Sequence, residues 1–171
     1  MSSSIFLSIG TNKGDKISNC KLAIKKIALI SNIISVSSIY KTESWGFSAD
    51  FFLNFVVEIK ANLSPINLLN ELLNIENQMG RFRNNNSKNK TYESRIIDID
   101  ILFFGSEIIN SNKLIIPHPK LNDRNFILIP LCEICPTYIC PLSNKKIEEI
   151  FRICKDNSSV DKIESSISFK F

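Results

Sequence analysis

Hydrophobic positions along the chain follow two rhythms, one of period two and one near 3.6, and the changes between them mark out the elements. Residues 4–9 (Ser-Ile-Phe-Leu-Ser-Ile) form a short apolar run ended by Gly10, which predicts a buried strand. Asp15 can cap a helix that carries Ile17, Cys20, Ile24 and Ile27 along one face. From Ile33 to Tyr40 the residues are β-branched and alternating, a second strand, and Glu43–Asp50 is a loop containing Gly46. Phe52–Ile59 predicts a third strand, with Leu53, Phe55, Val57 and Ile59 on one side and Phe52, Asn54, Val56 and Glu58 on the other. Ser64-Pro65 reads as an N-cap followed by proline at the first helical position, Leu68, Leu72, Ile75 and Met79 form the stripe behind it, and Gly80 closes the helix. A polar, basic loop fills residues 81–95, and Ile96–Phe104 is a fourth strand that Gly105 ends.

The resulting order is βαββαβ, with strands too closely spaced for an open parallel sheet. The expected fold is therefore α+β, a ferredoxin-like split βαβ sandwich with C-terminal additions. Those additions comprise a Pro117-His118-Pro119 turn and helices around Arg124–Glu133 and Lys146–Cys154. Lys155–Phe171 is Ser-rich and is expected to form a loose tail. With neither an internal repeat nor a dividing linker, the whole chain, 1–171, is expected to be one domain.

Composition narrows the function classes. Hydrophobic residues make up 44% and charged residues 22% of the 171, the balance of a globular domain. No apolar run reaches the ~18 residues that a spanning helix needs. Met1-Ser-Ser-Ser leads into Ile5 without a basic leader, so a cytoplasmic protein is expected. A net charge of +4 suits an anionic ligand but does not by itself argue for nucleic acid. The cysteines number five, an odd count that argues against a disulfide framework. Cys132-x-x-Cys135 and Cys140 alternate with Leu131, Ile134 and Ile139 as small core residues do, and His118, the sole histidine, is wrongly spaced to complete a zinc site.

The sharpest chemical feature is Arg95-Ile-Ile-Asp98-Ile-Asp100-Ile-Leu. On a strand, Asp98 and Asp100 share one face while Ile97, Ile99 and Ile101 enter the core, and the two acids lie about 6–7 Å apart at Cα. Like charges at that spacing repel unless a cation sits between them, and Mg²⁺ prefers carboxylate oxygen. Just upstream, Arg81, Arg83, Lys88, Lys90 and Arg95 fall in one loop, a cationic segment suited to a polyphosphate. Asn54, Phe52 and Trp45 offer an amide and aromatic walls for a flat heterocycle. Residues and spacing alone thus support Mg²⁺-nucleotide-dependent group transfer.

In order along the chain, Ile9-Gly10-Thr11-Asn12-x-Gly14-Asp15, Tyr40-Lys41-Thr42-Glu43-Ser44-Trp45-Gly46, Phe52-Leu53-Asn54, Gly80-Arg81-x-Arg83, Arg95-x-Ile97-Asp98-Ile99-Asp100-Ile101 and Pro117-His118-Pro119-x-Leu121-x-x-Arg124-x-Phe126 resemble the 6-hydroxymethyl-7,8-dihydropterin pyrophosphokinase family of folate biosynthesis. The resemblance runs over roughly residues 4–150. It implies that ATP donates its terminal pyrophosphate to the pterin hydroxymethyl group, with release of AMP. It also implies that Asp98 and Asp100 hold two Mg²⁺ ions and that Arg81 and Arg95 are catalytic arginines. Thr42, Trp45, Asn54 and Phe126 would bind the pterin, while Glu76, Arg83, His118 and Arg124 would lie at the nucleotide. The chain departs from the family in having Tyr92-Glu93-Ser94 where Trp-Gly-Pro is common; Tyr92 keeps an aromatic ring there to stack on substrate. The expected partners are the pterin and ATP, without nucleic acid or membrane, acting on a monomer. An RNA-binding sheet is the rival from another class, and the acidic pair, which repels phosphate without a cation, argues against it. An inactive pterin- or nucleotide-binding relative is the second rival.

Overall fold

A computed structural model of the chain describes residues 3–43, 50–81 and 94–163. Strand β1 (Ile5–Thr11) leads into helix α1 (Lys16–Ile27), whose N-cap is Asp15, its carboxylate accepting from the Ser18 amide. Strands β2 (Asn32–Val36) and β3 (Tyr40–Thr42) follow, then β4 (Phe52–Lys60) and helix α2 (Pro65–Gln78), capped by Ser64 with proline at its start. Strand β5 (Asp98–Phe104) carries the acidic pair. Beyond it lie a short hairpin, β6 (Ile109–Asn110) and β7 (Ile115–Ile116), then helices α3 (Asn125–Ile134) and α4 (Ile147–Ile153), and a final strand β8 (Val160–Lys162).

The described residues form a mixed α and β architecture around one antiparallel sheet of order β5-β1-β4-β3-β8, with β2 also on β4. Each face of the sheet has its own core. Ile5, Leu7, Ile9, Phe55, Val57, Ile99 and Ile101 pack with α1 and α2 on one side. Phe6, Val56, Leu102 and Phe103 pack with Ile127, Leu128, Leu131, Ile147 and Ile150 of α3 and α4 on the other. A bulge sharpens this division. Phe6 stands opposite Phe103 and Leu7 opposite Ile101, so Leu102 is the extra residue and shares a face with Phe103.

Two sequence expectations are altered. The strand expected from Ile33 to Tyr40 is broken, because the Ser37 hydroxyl replaces a strand carbonyl as acceptor of the Val56 amide, at 2.9 Å. The C-terminal helices, which the sequence did not place, cover the second face of the sheet. The segment expected as a loose tail is tied down in part, since Val160–Lys162 pairs with β3; residues 164–171 lie outside those described.

The cysteines sit where small core residues belong, Cys20 in the first core and Cys132, Cys135, Cys140 and Cys154 in or against the second. Burial pushes the thiols of Cys20 and Cys135 up to about 12 and that of Cys132 to about 11, so they stay protonated and unreactive. Among the described residues no helix is long and apolar enough to cross a membrane.

Candidate active site

Strand register places the candidate ligands in rows. Asp98 of β5 stands opposite Gly10 of β1, Gly10 opposite Asn54 of β4, and Asn54 opposite Tyr40 of β3. Residues opposite one another in a sheet project from the same face, so Asp98 and Asn54 look out together across Gly10, two strand spacings of about 4.8 Å apart. Gly10 has no side chain, which leaves a trough between the carboxylate and the amide. Asp100, opposite Ser8, lies in the next row on the same face. This is the face that α3 covers farther along, where Val56 and Leu102 enter the second core.

The amide on the far side of the trough is held in place. Asn54, almost fully buried, donates from Nδ2 to Thr42 Oγ1 at 2.8 Å, which leaves Oδ1 to face the Gly10 side of the trough. A Cβ added to Gly10 would lie 3.0 Å from that Oδ1. Gly10→Ala is therefore expected to displace the amide and to destabilise the protein by about 1–3 kcal/mol, as overpacking does. Thermal unfolding checks this, and an unchanged midpoint would show that the amide makes room without cost.

At the other side of the trough, α2 ends in a Schellman turn. Gly80, with φ of 92°, donates to the Asn77 carbonyl, and the Arg81 amide donates to the Glu76 carbonyl, both at 3.0 Å. The left-handed glycine turns the chain back so that the Arg81 side chain runs under β5. Its Nη1 reaches Glu76 Oε1 at 2.6 Å and the Ile97 carbonyl at 3.2 Å, and it also donates to Asp98 Oδ1. Arg95 donates to the other carboxylate oxygen of Asp98. Asp98 thus sits between two guanidinium groups, which neutralise it in a partly buried place. Asp100 is more open, with 40% of its side chain exposed.

Glu76 stands next to Arg81, at the end of α2. Its carboxylate is only 1% exposed, and besides Arg81 it accepts the Ile99 amide at 2.8 Å. Among the described residues β5 is an edge strand, so this carboxylate satisfies an amide that no described strand pairs with. Glu76 therefore faces inward, behind the arginine.

His118 lies across from Asp100, Nε2 to Oδ2 at 3.9 Å, and its Nδ1 accepts the Lys120 amide at 3.2 Å, which puts the proton of the neutral ring on Nε2. Burial, aided by Arg124 and Lys120 and opposed by Asp98, pulls its pKa down to about 4. The ring is neutral near pH 7 and can donate one hydrogen bond from Nε2. Arg124 leans over the Phe126 ring, 5.5 Å from its centre, at the start of α3. Trp45, Arg83 and Tyr92, with Lys88 and Lys90, lie outside the described residues.

Sequence reasoning assigned no role to Asn12. Almost fully buried, it exchanges backbone hydrogen bonds with the far end of the basic loop: its amide donates to the Arg95 carbonyl at 3.0 Å, and its Oδ1 accepts the Arg95 amide at 2.6 Å. Its Nδ2 also reaches Ser94 Oγ at 3.3 Å and the Asp50 carbonyl at 3.4 Å. Asn12 fixes where Arg95 re-enters the sheet. The only hint in the sequence was an Asn just after an apolar strand, which reads equally well as a turn residue.

The donor set fits Mg²⁺. Among the described residues no cluster of three or more His, Cys, Asp and Glu could enclose a metal, but two carboxylates on one strand face suit an ion that keeps oxygen ligands from a bound phosphate. A separate hollow of about 490 Å³ lies between the start of α2 and the β6–β7 hairpin, lined by Pro65, Ile66, Ile109 and Leu114. It is at the opposite end of α2 from Glu76, and it has no part in this chemistry.

Residues 6–136 match the family model described as 7,8-dihydro-6-hydroxymethylpterin-pyrophosphokinase. Two similar proteins carry the name 2-amino-4-hydroxy-6-hydroxymethyldihydropteridine pyrophosphokinase. The one from Aquifex aeolicus is 37% identical over 85% of this chain and 88% of its own, and the one from Bacillus subtilis is 35% identical over 98% of this chain and all of its own (100%). Among solved structures, the Plasmodium falciparum HPPK-DHPS A437G with SDX-DHP superposes with a TM-score of 0.73 at 17% identity. That match covers 89% of this chain and 45% of the Plasmodium chain, so this chain spans less than half of that protein, and the likeness speaks for the fold alone.

Proposed function

The chain belongs to the 7,8-dihydro-6-hydroxymethylpterin-pyrophosphokinase family, and on that premise we propose how its trough-shaped site works. The protein is a transferase of folate biosynthesis that moves pyrophosphate from ATP to the hydroxymethyl group of the dihydropterin and releases AMP. The observation that carries the residue-level reading is the row Asp98–Gly10–Asn54, which sets an acidic, arginine-flanked position beside a buried amide on one sheet face.

In this reading the pterin lies in the trough. Asn54, held by Thr42, recognises its edge, and Phe126 stacks on its ring, with Trp45 and Tyr92 as further aromatic contacts. The triphosphate lies against β5, near His118, Arg124 and Arg83. Asp98 and Asp100 would hold two Mg²⁺ ions, which would supply charge neutralisation at the phosphate oxygens. The substrate hydroxyl attacks the β-phosphorus; a new O–P bond forms there while the bond to the bridging oxygen of AMP breaks, and the hydroxyl proton leaves to water. Arg81 and Arg95, each a strong donor to phosphate, stabilise the charge that builds on the transferred group. Glu76 and Asn12 keep the two arginines aimed. His118, neutral near pH 7, donates a hydrogen bond to the nucleotide and adds no charge. Positioning supplies most of the acceleration.

The split βαβ ferredoxin-like description accommodates the strand order, with α3 and α4 added to its second face. A cytoplasmic monomer is the setting that suits the chemistry. The test is product identity: incubated with Mg-ATP and 6-hydroxymethyl-7,8-dihydropterin, the protein yields AMP and the pterin diphosphate in equal amounts. Formation of ADP would replace this reading with that of an ordinary kinase, and absence of turnover with intact pterin binding would favour an inactive relative.

A further inference from the structure

Helix α3, which begins at the ligand face, lacks a cap of its own. Its N-cap residue, Arg124, makes no side-chain hydrogen bond to the first turn. Asp156, 31 residues downstream of Asn125, takes that place from outside: Oδ2 accepts the Asn125 amide at 2.7 Å, and its carbonyl accepts the Asn125 side-chain amide. The other carboxylate oxygen, Oδ1, accepts the Ser158 amide at 2.9 Å and its hydroxyl at 2.6 Å, which locks the rotamer. Partial burial works against the charged form, but these hydrogen bonds outweigh it and hold the carboxyl below the usual range, so the group is ionised at neutral pH. A carboxylate there meets the partial positive charge of the helix start and satisfies one of its unpaired amides.

The same segment holds the other end of the helix. After Ser158 the chain enters β8 against β3, and Lys162 Nζ reaches Glu133 Oε1, in the last turn of α3, at 3.2 Å. Glu133 in turn accepts from Ser38 and from the Tyr40 hydroxyl, which tie α3 to the strand that carries Thr42. Residues 156–162 therefore form a strap along α3. The strap lies beyond residues 6–136, the stretch that the family model matches.

We propose that Asp156 is a positioning residue for the ligand face, capping α3 so that Arg124 and Phe126 are held beside Asp98, Asp100 and His118; this rests on the pterin and nucleotide reading given above. Without the cap the first turn frays, and Arg124 and Phe126 are the side chains at that turn. The rest of α3 stays in place because Ile127, Leu128 and Leu131 are buried in the second core. The damage is therefore local. It shows in substrate binding ahead of turnover of the bound complex.

The experiment uses the full chain. In Asp156→Ala, KM for the pterin and for ATP rises about three- to thirtyfold, the range that loss of a cap produces, while kcat stays within about threefold. Backbone amides of 125–128 exchange with solvent faster by a similar factor. Asp156→Asn keeps an acceptor for the Asn125 amide and gives intermediate values. Ser64→Ala removes a comparable cap from α2, far from the ligand face, and leaves both KM values unchanged. Wild-type KM values in Asp156→Ala, or an equal rise in Ser64→Ala, would overturn the proposal. A wild-type chain that releases no AMP overturns the functional reading and the proposal with it, so the two failures are distinguished on the wild type.

Discussion

Asp98→Ala lowers kcat for AMP release by roughly 10³-fold, the scale expected when a group that organises charge at the reacting phosphate is removed. The physical reason lies in what surrounds the residue. In the structure its two carboxylate oxygens are engaged by Arg81 and Arg95, so this position has the geometry and the charge to receive cations from either side. In the proposed reading Asp98 would help to hold Mg²⁺, which would supply positive charge to the phosphate, while Arg81 and Arg95 stand within reach of the same place. Removing the carboxylate would take away the proposed metal ligand and also leaves two cations facing each other across a partly buried gap. Asp98→Asn separates these effects: it keeps the shape but not the charge, and its kcat falls nearly as far. Both variants stay folded, because Arg81 keeps Glu76 and the Ile97 carbonyl. Activity against Mg²⁺ concentration, with thermal unfolding as control, checks the result. A folded Asp98→Ala protein with kcat within tenfold of wild type would remove Asp98 from the chemistry.

Glu76→Ala strikes the stability of the protein first. The carboxylate is 1% exposed and takes both Arg81 and the Ile99 amide, so its loss leaves a buried amide unsatisfied and an arginine without its inner partner. Breaking a buried pair on one side costs about 3–5 kcal/mol. For a domain of this size each kcal/mol shifts Tm by roughly 2–4 °C, so the expected fall is roughly 6–20 °C. Glu76→Gln retains an acceptor for Ile99 and recovers about half of that loss, since the hydrogen bond survives and the ion pair does not. Activity falls with it, through kcat more than through KM for ATP, because what Glu76 aims is an arginine. If instead Tm were unchanged and KM for ATP rose steeply, Glu76 would belong to the nucleotide itself.

The site was legible in the sequence wherever its parts are close together in the chain. Asp98 and Asp100 could be put on one face because a strand alternates, whatever the strand packs against. Arg81 could be placed at a helix end because Gly80 announces the turn. Glu76 could not be assigned its partner that way: the Ile99 amide it satisfies lies 23 residues on, and only the packing of α2 against the free edge of β5 brings the two together. Asn12 and Arg95 are separated by 83 residues, and nothing in either neighbourhood names the other. Gly10 read as the end of a strand, and its value as the floor of the trough exists only because β4 and β5 flank β1 in a particular register.

By itself, then, the chain's pattern of apolar and polar positions determined the order of the main strands and helices as far as β5, which side chains of each strand alternate onto one face, the caps of α1 and α2 and the pairing of two acids beside a basic loop. These depend on dihedral periodicity and on hydrogen bonds within a few residues, which are local quantities. Tertiary structure decided the row that joins Asp98 to Asn54, the inward turn of Glu76, the covering of the second sheet face, and the use of Asp156 as a cap for a helix begun 31 residues earlier. Those depend on which buried surfaces fit one another across the whole domain. Close packing selects such a register only when every core side chain is in place, so no stretch of the chain carries it alone.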